Sequence, residues 1–261
     1  MLRKWKRRKG TCIICAEREG DKADHLPPKV LFPEPIRTPQ TEFFTFPACS
    51  QCNGASKDED FLFSVLLAFG LNQEAILKNE DPTDPDLLAL YRQAKGHFHD
   101  PKEAARRVKL IQRIADIDPR SRRTAINPKR VPLNQTLTKI VKSVYWLYTN
   151  GDVLQQYHPG WWILSNVDTS KHHFIENHLK TSHDEVHWGN RFIYHYTIGH
   201  PENDVGGFII CSLHFYTQRQ VGHGMSWMVI AAPTGTSVNG KSLYEWCTSI
   251  WGKATITPDI K

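Results

Sequence analysis

The sequence predicts an α+β protein made of three successive regions, and three observations support this prediction. Two C-x-x-C pairs enclose a short segment near the N-terminus and set residues 1–60 apart from the rest. Residues 61–155 carry apolar side chains at helical spacing, which predicts a helical middle region. Residues 156–261 contain runs of β-branched and aromatic residues between Gly, Pro, Asn and Asp turns. That pattern predicts a β-rich α+β region with a mostly antiparallel sheet.

Composition and charge narrow the class of protein. Of the 261 residues, 40% are hydrophobic and 23% are charged, which is typical of a globular chain with a real core. The formal net charge of +6 favours an anionic partner without requiring one. No apolar run is long enough to span a bilayer, and the basic N-terminus lacks the apolar segment of a signal peptide. The sequence therefore predicts a cytoplasmic protein with reduced thiols and no membrane partner.

The two C-x-x-C pairs are Cys12 with Cys15 and Cys49 with Cys52. Each pair places two sulfurs on one tight turn, and two such turns complete a tetrahedral Cys₄ zinc site. A redox site of the thioredoxin type would need only one pair beside a βαβ unit. Two disulfides, or four unrelated core cysteines, are the alternatives, and disulfides are rare in a reducing compartment. We therefore predict a structural zinc ion, which builds the fold and does no chemistry because protein ligands fill all four positions.

A second set of polar residues lies between and just after the cysteine pairs. His25 follows Asp24 directly, and a neutral imidazole is a suitable general base near pH 7. Asp24 offers oxygen to a hard divalent cation, and Asn53, directly after Cys52, adds a second oxygen ligand. Lys57 adds a positive charge nearby. A base, a cation site and a lysine together favour hydrolysis of a phosphodiester, whereas a lone histidine is more often packed or solvated.

This order of motifs resembles a known family. C-x-x-C, then Asp-His, then C-x-x-C-Asn is similar to the HNH endonucleases, whose zinc-stapled ββα-metal finger is treble-clef-like. Within that group, the stretches DHLPPKVLFP and PACSQCNGASKDED resemble HNH-type proteins of bacterial genomes. The resemblance covers about the first quarter of the chain. It implies that His25 activates water and that Asp24 and Asn53 hold one catalytic Mg²⁺ or Mn²⁺ at the scissile phosphate of DNA. A setting in phage defence or mobile elements is a family-level association.

One position departs from the family pattern. The middle Asn of the motif, which braces the loop that aims the catalytic histidine, is absent from TEFFTF at residues 41–46. Thr45 or backbone groups would have to brace the loop instead. The alternative function is therefore a catalytically degenerate zinc module that binds nucleic acid or a partner protein.

Positive charge is concentrated at two places outside the finger. The first ten residues form a basic arm, and its residues Arg7, Arg8 and Lys9 are predicted to bind substrate phosphates. Lys57 of the finger is predicted to bind substrate phosphates as well. A frayed, solvated terminus is the alternative. A second basic segment covers residues 119–130, where a solvated loop is the more common structure. DNA is the predicted partner, with RNA left open, and the chain shows no evident base-reading element, so a partner protein could supply targeting.

Periodicity and capping residues predict the individual elements. The Asp-His strand, an irregular loop at Leu31 to Thr41 and a strand around Phe43 to Phe46 form the finger. Ser56 and Glu59 form a capping box for the next helix. The predicted helices are Phe61 to Leu71, Leu87 to Ala94 capped by Asp86, Lys102 to Asp116, and Leu137 to Tyr148, which stops at Asn150-Gly151.

The last region is predicted to hold four strands and one helix. The strands are Trp161 to Leu164, Phe192 to Ile198, Phe208 to Tyr216 and Met225 to Ala231, and the helix lies around Lys171 to Lys180. Cys211 and Cys247 are predicted to be buried small hydrophobes. The histidines between residues 172 and 187 are predicted to be polar surface residues rather than a second metal site.

Overall fold

The computed structural model describes most of the chain but not all of it. The described residues are 10–37, 43–72, 75, 78, 80–96, 101–118, 123–127, 130–154, 158–164, 186–187, 191–199, 207–216, 225–233, 236–238, 241–242 and 245. Within them, helices accompany antiparallel sheets, which confirms the predicted α+β class. No helix in these ranges combines the length and apolar character that a membrane span requires.

A two-stranded ribbon organises the N-terminal part. Strands β1 (Lys22–Leu26) and β2 (Phe44–Ala48) pair antiparallel, and helices α1 (Ser50–Ala55) and α2 (Lys57–Gly70) follow. Both predicted finger strands are thus confirmed. The connection between them contains two 3₁₀ turns, at Lys29–Leu31 and Glu34–Ile36, and residues 38–42 lie outside the described part.

The predicted buried helix is confirmed, but its predicted capping box is wrong. Every residue of α2 from Phe61 to Ala68 is buried, as an apolar run on all sides requires. Ser56 makes no capping hydrogen bond, because α1 runs almost directly into α2 and leaves Ser56 with helical angles (φ −78°, ψ −8°). Glu59 instead accepts hydrogen bonds from the backbone N–H groups of Gln135 and Thr136, at 2.6 and 3.1 Å.

The middle region contains two helices and a small hairpin. Helix α3 spans Pro85–Gly96 and α4 spans Pro101–Ile114. Asp84, not the predicted Asp86, caps α3, since its Oδ1 accepts from the N–H groups at positions 86 and 87. The predicted helix to Asp116 ends two residues early, because Ala115–Asp118 (β3) pairs with Arg123–Ile126 (β4) in the basic segment.

A long helix and a five-stranded sheet complete the fold. Helix α5 (Asn134–Tyr148) ends as predicted, with positive φ at Asn150 (59°) and Gly151 (110°). The sheet consists of β5 (His158–Leu164), β6 (Val186–His187), β7 (Phe192–Gly199), β8 (Phe208–Phe215) and β9 (Met225–Ala232). Its strands are antiparallel in the order β5-β9-β8-β7-β6, and all except β6 were predicted from the sequence, so the four predicted strands are confirmed. A hairpin of β10 (Ser237–Val238) and β11 (Lys241–Ser242) follows.

Several sequence predictions for the last region fall on undescribed residues. The helix at Lys171 to Lys180, the histidines before His187 and Cys247 lie outside the described part. Cys211 is confirmed as a fully buried residue.

One hydrophobic core joins the N-terminal part to the sheet. The Phe63 ring of α2 contacts Phe215 and Trp227 edge-on, at centroid distances of 5.0 and 4.9 Å. Residues from each of the three predicted regions belong to the same buried cluster. The division at residues 60 and 155 stays a sequence prediction.

Candidate metal centre and histidine loop

The four cysteines of the two C-x-x-C pairs come together at one point. Their Sγ atoms all lie within 4.8 Å of one another, and none of the four forms a disulfide. Four converging sulfurs are the donor set of a structural tetrahedral site, so this cluster could hold a metal ion such as zinc. Among the described residues it is the only group of three or more metal-ligating side chains so arranged.

The first pair of cysteines lies on a small hairpin. The Gly20 N–H donates to the Gly10 carbonyl at 2.7 Å, and the Ala16 N–H donates to the Cys12 carbonyl at 2.8 Å. Ala16 has a left-handed φ of 62°, which turns the chain so that both sulfurs face the same side. The Ile13 N–H donates to the Pro47 carbonyl at 3.1 Å, so the hairpin is attached to the end of β2, where the second pair begins.

Two cations that sequence reasoning missed contact the metal centre. Arg18 donates to Cys49 Sγ at 3.2 Å and to Cys52 Sγ at 3.3 Å. Burial opposes ionisation of Cys49, but hydrogen bonds from the Cys52 amide and from Arg18 lower its pKa to about 6. Lys142 of α5 donates to the Ile14 carbonyl at 2.7 Å, and burial lowers its pKa to about 8.

His25 is half-buried on β1 and is surrounded by cations. Burial lowers the pKa of His25, and the positive charges of Lys29, Lys139 and Arg37 add to that effect against the opposing charge of Asp24. The imidazole is therefore neutral near pH 7, which is the form that accepts a proton. Phe43 contacts the ring edge-on, at a centroid distance of 6.2 Å.

Thr45 lies directly opposite His25 in the β1–β2 ladder. Residues paired in this way have their side chains next to each other on the same face of a ribbon. This position agrees with the expectation that Thr45 replaces the missing Asn in bracing the loop that aims His25. The bracing role itself stays a prediction.

Asp24 leaves the ribbon on the opposite face from His25, because neighbours along a strand alternate. Its side chain is buried, and Oδ1 accepts a hydrogen bond from the backbone N–H of His25 at 2.7 Å. Oδ2 is buried and receives no hydrogen bond from the described residues. Lys139 Nζ lies 3.3 Å from this oxygen, which is ion-pair distance without hydrogen-bond geometry.

Lys139 is the centre of a buried polar network that the sequence did not reveal. Its Nζ donates to Asp60 Oδ2 at 2.6 Å and to Ser56 Oγ at 3.0 Å, and only 2% of its side chain is exposed. Thr136 also donates to Asp60, at 2.7 Å. The network joins α5 to α2 and, through Asp24, to β1.

The remaining predicted site residues are Asn53, Lys57 and three residues of the basic arm. Asn53 is half-buried on α1, which packs against β1, and its N–H donates to the Cys49 carbonyl at 2.9 Å. Lys57 is exposed at the start of α2. Arg7, Arg8 and Lys9 lie outside the described residues. For the predicted Mg²⁺ or Mn²⁺, Asp24 Oδ2 accepts no hydrogen bond from the described residues but lies 3.3 Å from Lys139 Nζ, and this ligand set stays a prediction.

The segment after His25 is anchored from several directions. We name residues 27–37 the histidine loop. Arg37 donates to the Phe32 carbonyl at 2.7 Å and to the Lys29 carbonyl at 3.0 Å, within the loop itself. Side chains from α3 and from the sheet region bind three further carbonyls of this loop.

Comparisons of the chain with protein-family models, with curated proteins and with solved structures found no match.

Proposed function

We propose that this protein is a metal-dependent endonuclease that hydrolyses phosphodiester bonds of DNA, with His25 as its general base. The observation that carries the proposal is the state of His25. It is half-buried, its pKa is lowered by burial and nearby cations, and it follows Asp24, whose buried Oδ2 accepts no hydrogen bond from the part of the chain that the structure describes. The cysteine cluster, which could hold a structural metal ion, and the cations around His25 are consistent with phosphodiester hydrolysis.

The proposed reaction needs one base and one cation site. His25 takes a proton from water, the water oxygen bonds to phosphorus, and the bond from phosphorus to the 3′ oxygen breaks. The products are a 5′-phosphate and a 3′-hydroxyl, whose proton comes from solvent. Asp24 and Asn53 would hold one Mg²⁺ or Mn²⁺, which supplies stabilisation of the negative charge on the phosphate and on the departing oxygen. Lys29 and Arg37 add positive charge beside the base.

The experiment is a cleavage assay with zinc-loaded protein on supercoiled plasmid, single-stranded DNA and RNA. Samples receive Mg²⁺, Mn²⁺ or no added divalent ion, and the zinc content is measured, so that a chelator does not strip the structural site. Asn53→Ala is assayed in parallel, and we expect it to need a higher Mg²⁺ concentration. Metal-dependent nicking supports the proposal. A zinc-loaded protein that cleaves none of the three substrates overturns it.

A non-catalytic zinc module is the second candidate function, and one observation favours it. The Asp24 carboxylate is already engaged by the backbone N–H of His25 and by Lys139 at ion-pair distance, on the face of the ribbon away from the imidazole. Tight binding of DNA that weakens steeply with salt, without any turnover, would support this candidate.

A further inference from the structure

We propose that Gln93, Arg191 and Tyr216 are positioning residues that hold the histidine loop in the geometry in which His25 works. This inference rests on the proposed function and gives the sheet region a role in it. The three residues bind the site only through the loop, so they do not touch a substrate.

Three loop carbonyls accept hydrogen bonds from side chains that are distant in sequence. Gln93 Nε2 donates to Val30 at 2.5 Å, Tyr216 Oη to Leu31 at 2.7 Å and Arg191 Nη1 to Ile36 at 2.7 Å. These donors lie 63, 185 and 155 residues along the chain from their acceptors. A loop that forms short turns leaves carbonyls without ladder partners, and these side chains supply the missing partners.

The donors are themselves fixed in position. Arg191 forms a two-point ion pair with the buried Asp86 of α3, at 2.7 and 2.9 Å. The Tyr216 N–H donates to the Arg191 carbonyl at 2.9 Å, which ties the two donors together. The nearly buried Tyr216 ring also stacks on Phe32 of the loop, at a centroid distance of 6.1 Å. Because α3 and the sheet hold these side chains, the loop is fixed against a rigid surface.

The loop in turn contacts His25 through its neighbours. Phe32 packs edge-on against Phe43, and Phe43 packs edge-on against the imidazole, both at 6.2 Å between centroids. The ammonium of Lys29, itself a loop residue, lies 5.7 Å from the centroid of the same Phe43 ring. A shift of the loop therefore changes both the packing and the charge around the base, and small displacements at a catalytic group are costly.

Tyr216→Phe is the cleanest test, because it removes one hydroxyl and keeps the ring that stacks on Phe32. Tyr148→Phe is the matched control, since its hydroxyl binds Tyr194 at 3.1 Å and not the loop. Gln93→Met combined with Tyr216→Phe removes two of the three anchors. The measurements are kcat and KM for cleavage, hydrogen exchange of loop amides, and NMR resonances of the His25 ring.

We expect exchange of the loop amides to rise about tenfold in Tyr216→Phe, and further in the double variant. We also expect kcat to fall about tenfold with KM nearly unchanged, which a general loss of stability would not produce. Tyr148→Phe should change none of these values. Unchanged loop exchange in the double variant overturns the proposal, and so does faster exchange with a wild-type kcat.

The failure of the proposed function would be visible separately. If the wild-type protein cleaves nothing, the NMR signals of the His25 ring test the anchoring alone. Shifted signals in Tyr216→Phe, with unshifted signals in Tyr148→Phe, then support the positioning role. Identical ring signals in all three proteins contradict it.

Discussion

The metal centre and the histidine loop share one small ribbon but are held in different ways. The metal centre depends on local structure, because a short hairpin from Gly10 to Gly20 carries the first cysteine pair and a helix start carries the second. The histidine loop depends on distant parts of the chain, because its carbonyls bind side chains from α3 and from the sheet region. The first is a cysteine cluster that could hold a metal ion, and the second is held in place by the rest of the fold.

This difference implies that the two can be broken separately. Damage to the metal centre should remove the fold of the N-terminal part, since metal-binding free energy is folding free energy. Damage around the histidine loop should change catalysis while the metal stays bound.

Cys12→Ser should have the largest effect. Structural zinc contributes roughly 10–16 kcal/mol in small zinc-binding peptides, so loss of one ligand should remove the bound zinc and most of the soluble protein. Cys211→Ser is the matched control, because Cys211 is equally buried but lies in the sheet. Its buried hydroxyl should cost about 1–3 kcal/mol and leave the zinc content intact. Soluble yield and zinc content are measured for both variants. A stable, zinc-free Cys12→Ser protein would contradict a structural role for the metal.

Lys139→Met should be strongly destabilising. It leaves the Asp24 and Asp60 carboxylates buried without their cation, which costs about 3–5 kcal/mol. Lys142→Met, one turn further along α5, removes a hydrogen bond to the Ile14 carbonyl and a positive charge near the cysteine cluster, and we expect it to cost less, about 1–3 kcal/mol. Urea unfolding of both variants measures the difference. Equal free energies of unfolding would show that the Lys139 network is not what stabilises this side of the ribbon.

The pH dependence of cleavage tests the environment of His25. Because the folded pKa lies below the ordinary 6.5, the base is neutral at pH 7 and the rate should fall only at lower pH. Protonation also favours the unfolded state, so stability should be complete above pH 6.5 and decrease below it. Lys29→Met removes one of the cations and should move the acidic limb of the rate profile to higher pH. A limb centred above pH 6.5 in the wild type, or one that Lys29→Met leaves in place, would contradict this environment.

Arg18→Gln should have the smallest effect and should be confined to the metal centre. Without the guanidinium, Cys49 and Cys52 each lose one hydrogen bond to sulfur, and zinc should transfer to a competing chelator about 10-fold faster. Glu17→Gln is the control, because it changes only an exposed side chain and keeps the hydrogen bond that the backbone N–H of Glu17 donates to Cys15. Cleavage per zinc-loaded molecule should be equal in both variants. A change in kcat with Arg18→Gln would show that the metal centre and the histidine loop are coupled.

The features that sequence reasoning predicted are those that local patterns specify. The spacing of Cys12, Cys15, Cys49 and Cys52 was sufficient to predict their convergence, and the apolar run after Phe61 was sufficient to predict a buried helix. The four strands of the sheet followed from their β-branched and aromatic residues.

The features that were missed depend on partners far along the chain. Glu59 matched a local capping motif but binds the start of α5, 76 residues away. Asp86 resembled a helix cap but pairs with Arg191, 105 residues away. The burial of Lys139 and Lys142 could not be predicted from the sequence. A buried lysine needs carboxylates or carbonyls near its ammonium group, and here only the fold brings these groups close. No single-sequence pattern carries that information.

The most direct test of the central claim is single-turnover cleavage by His25→Ala, with zinc content measured on the same sample. His195→Ala is the control, since it replaces another half-buried histidine that lies in the sheet. We predict that His25→Ala loses about 10²–10⁴-fold in rate and keeps its zinc and its thermal stability, while His195→Ala cleaves normally. A zinc-loaded His25→Ala protein that cleaves at the wild-type rate would contradict the account.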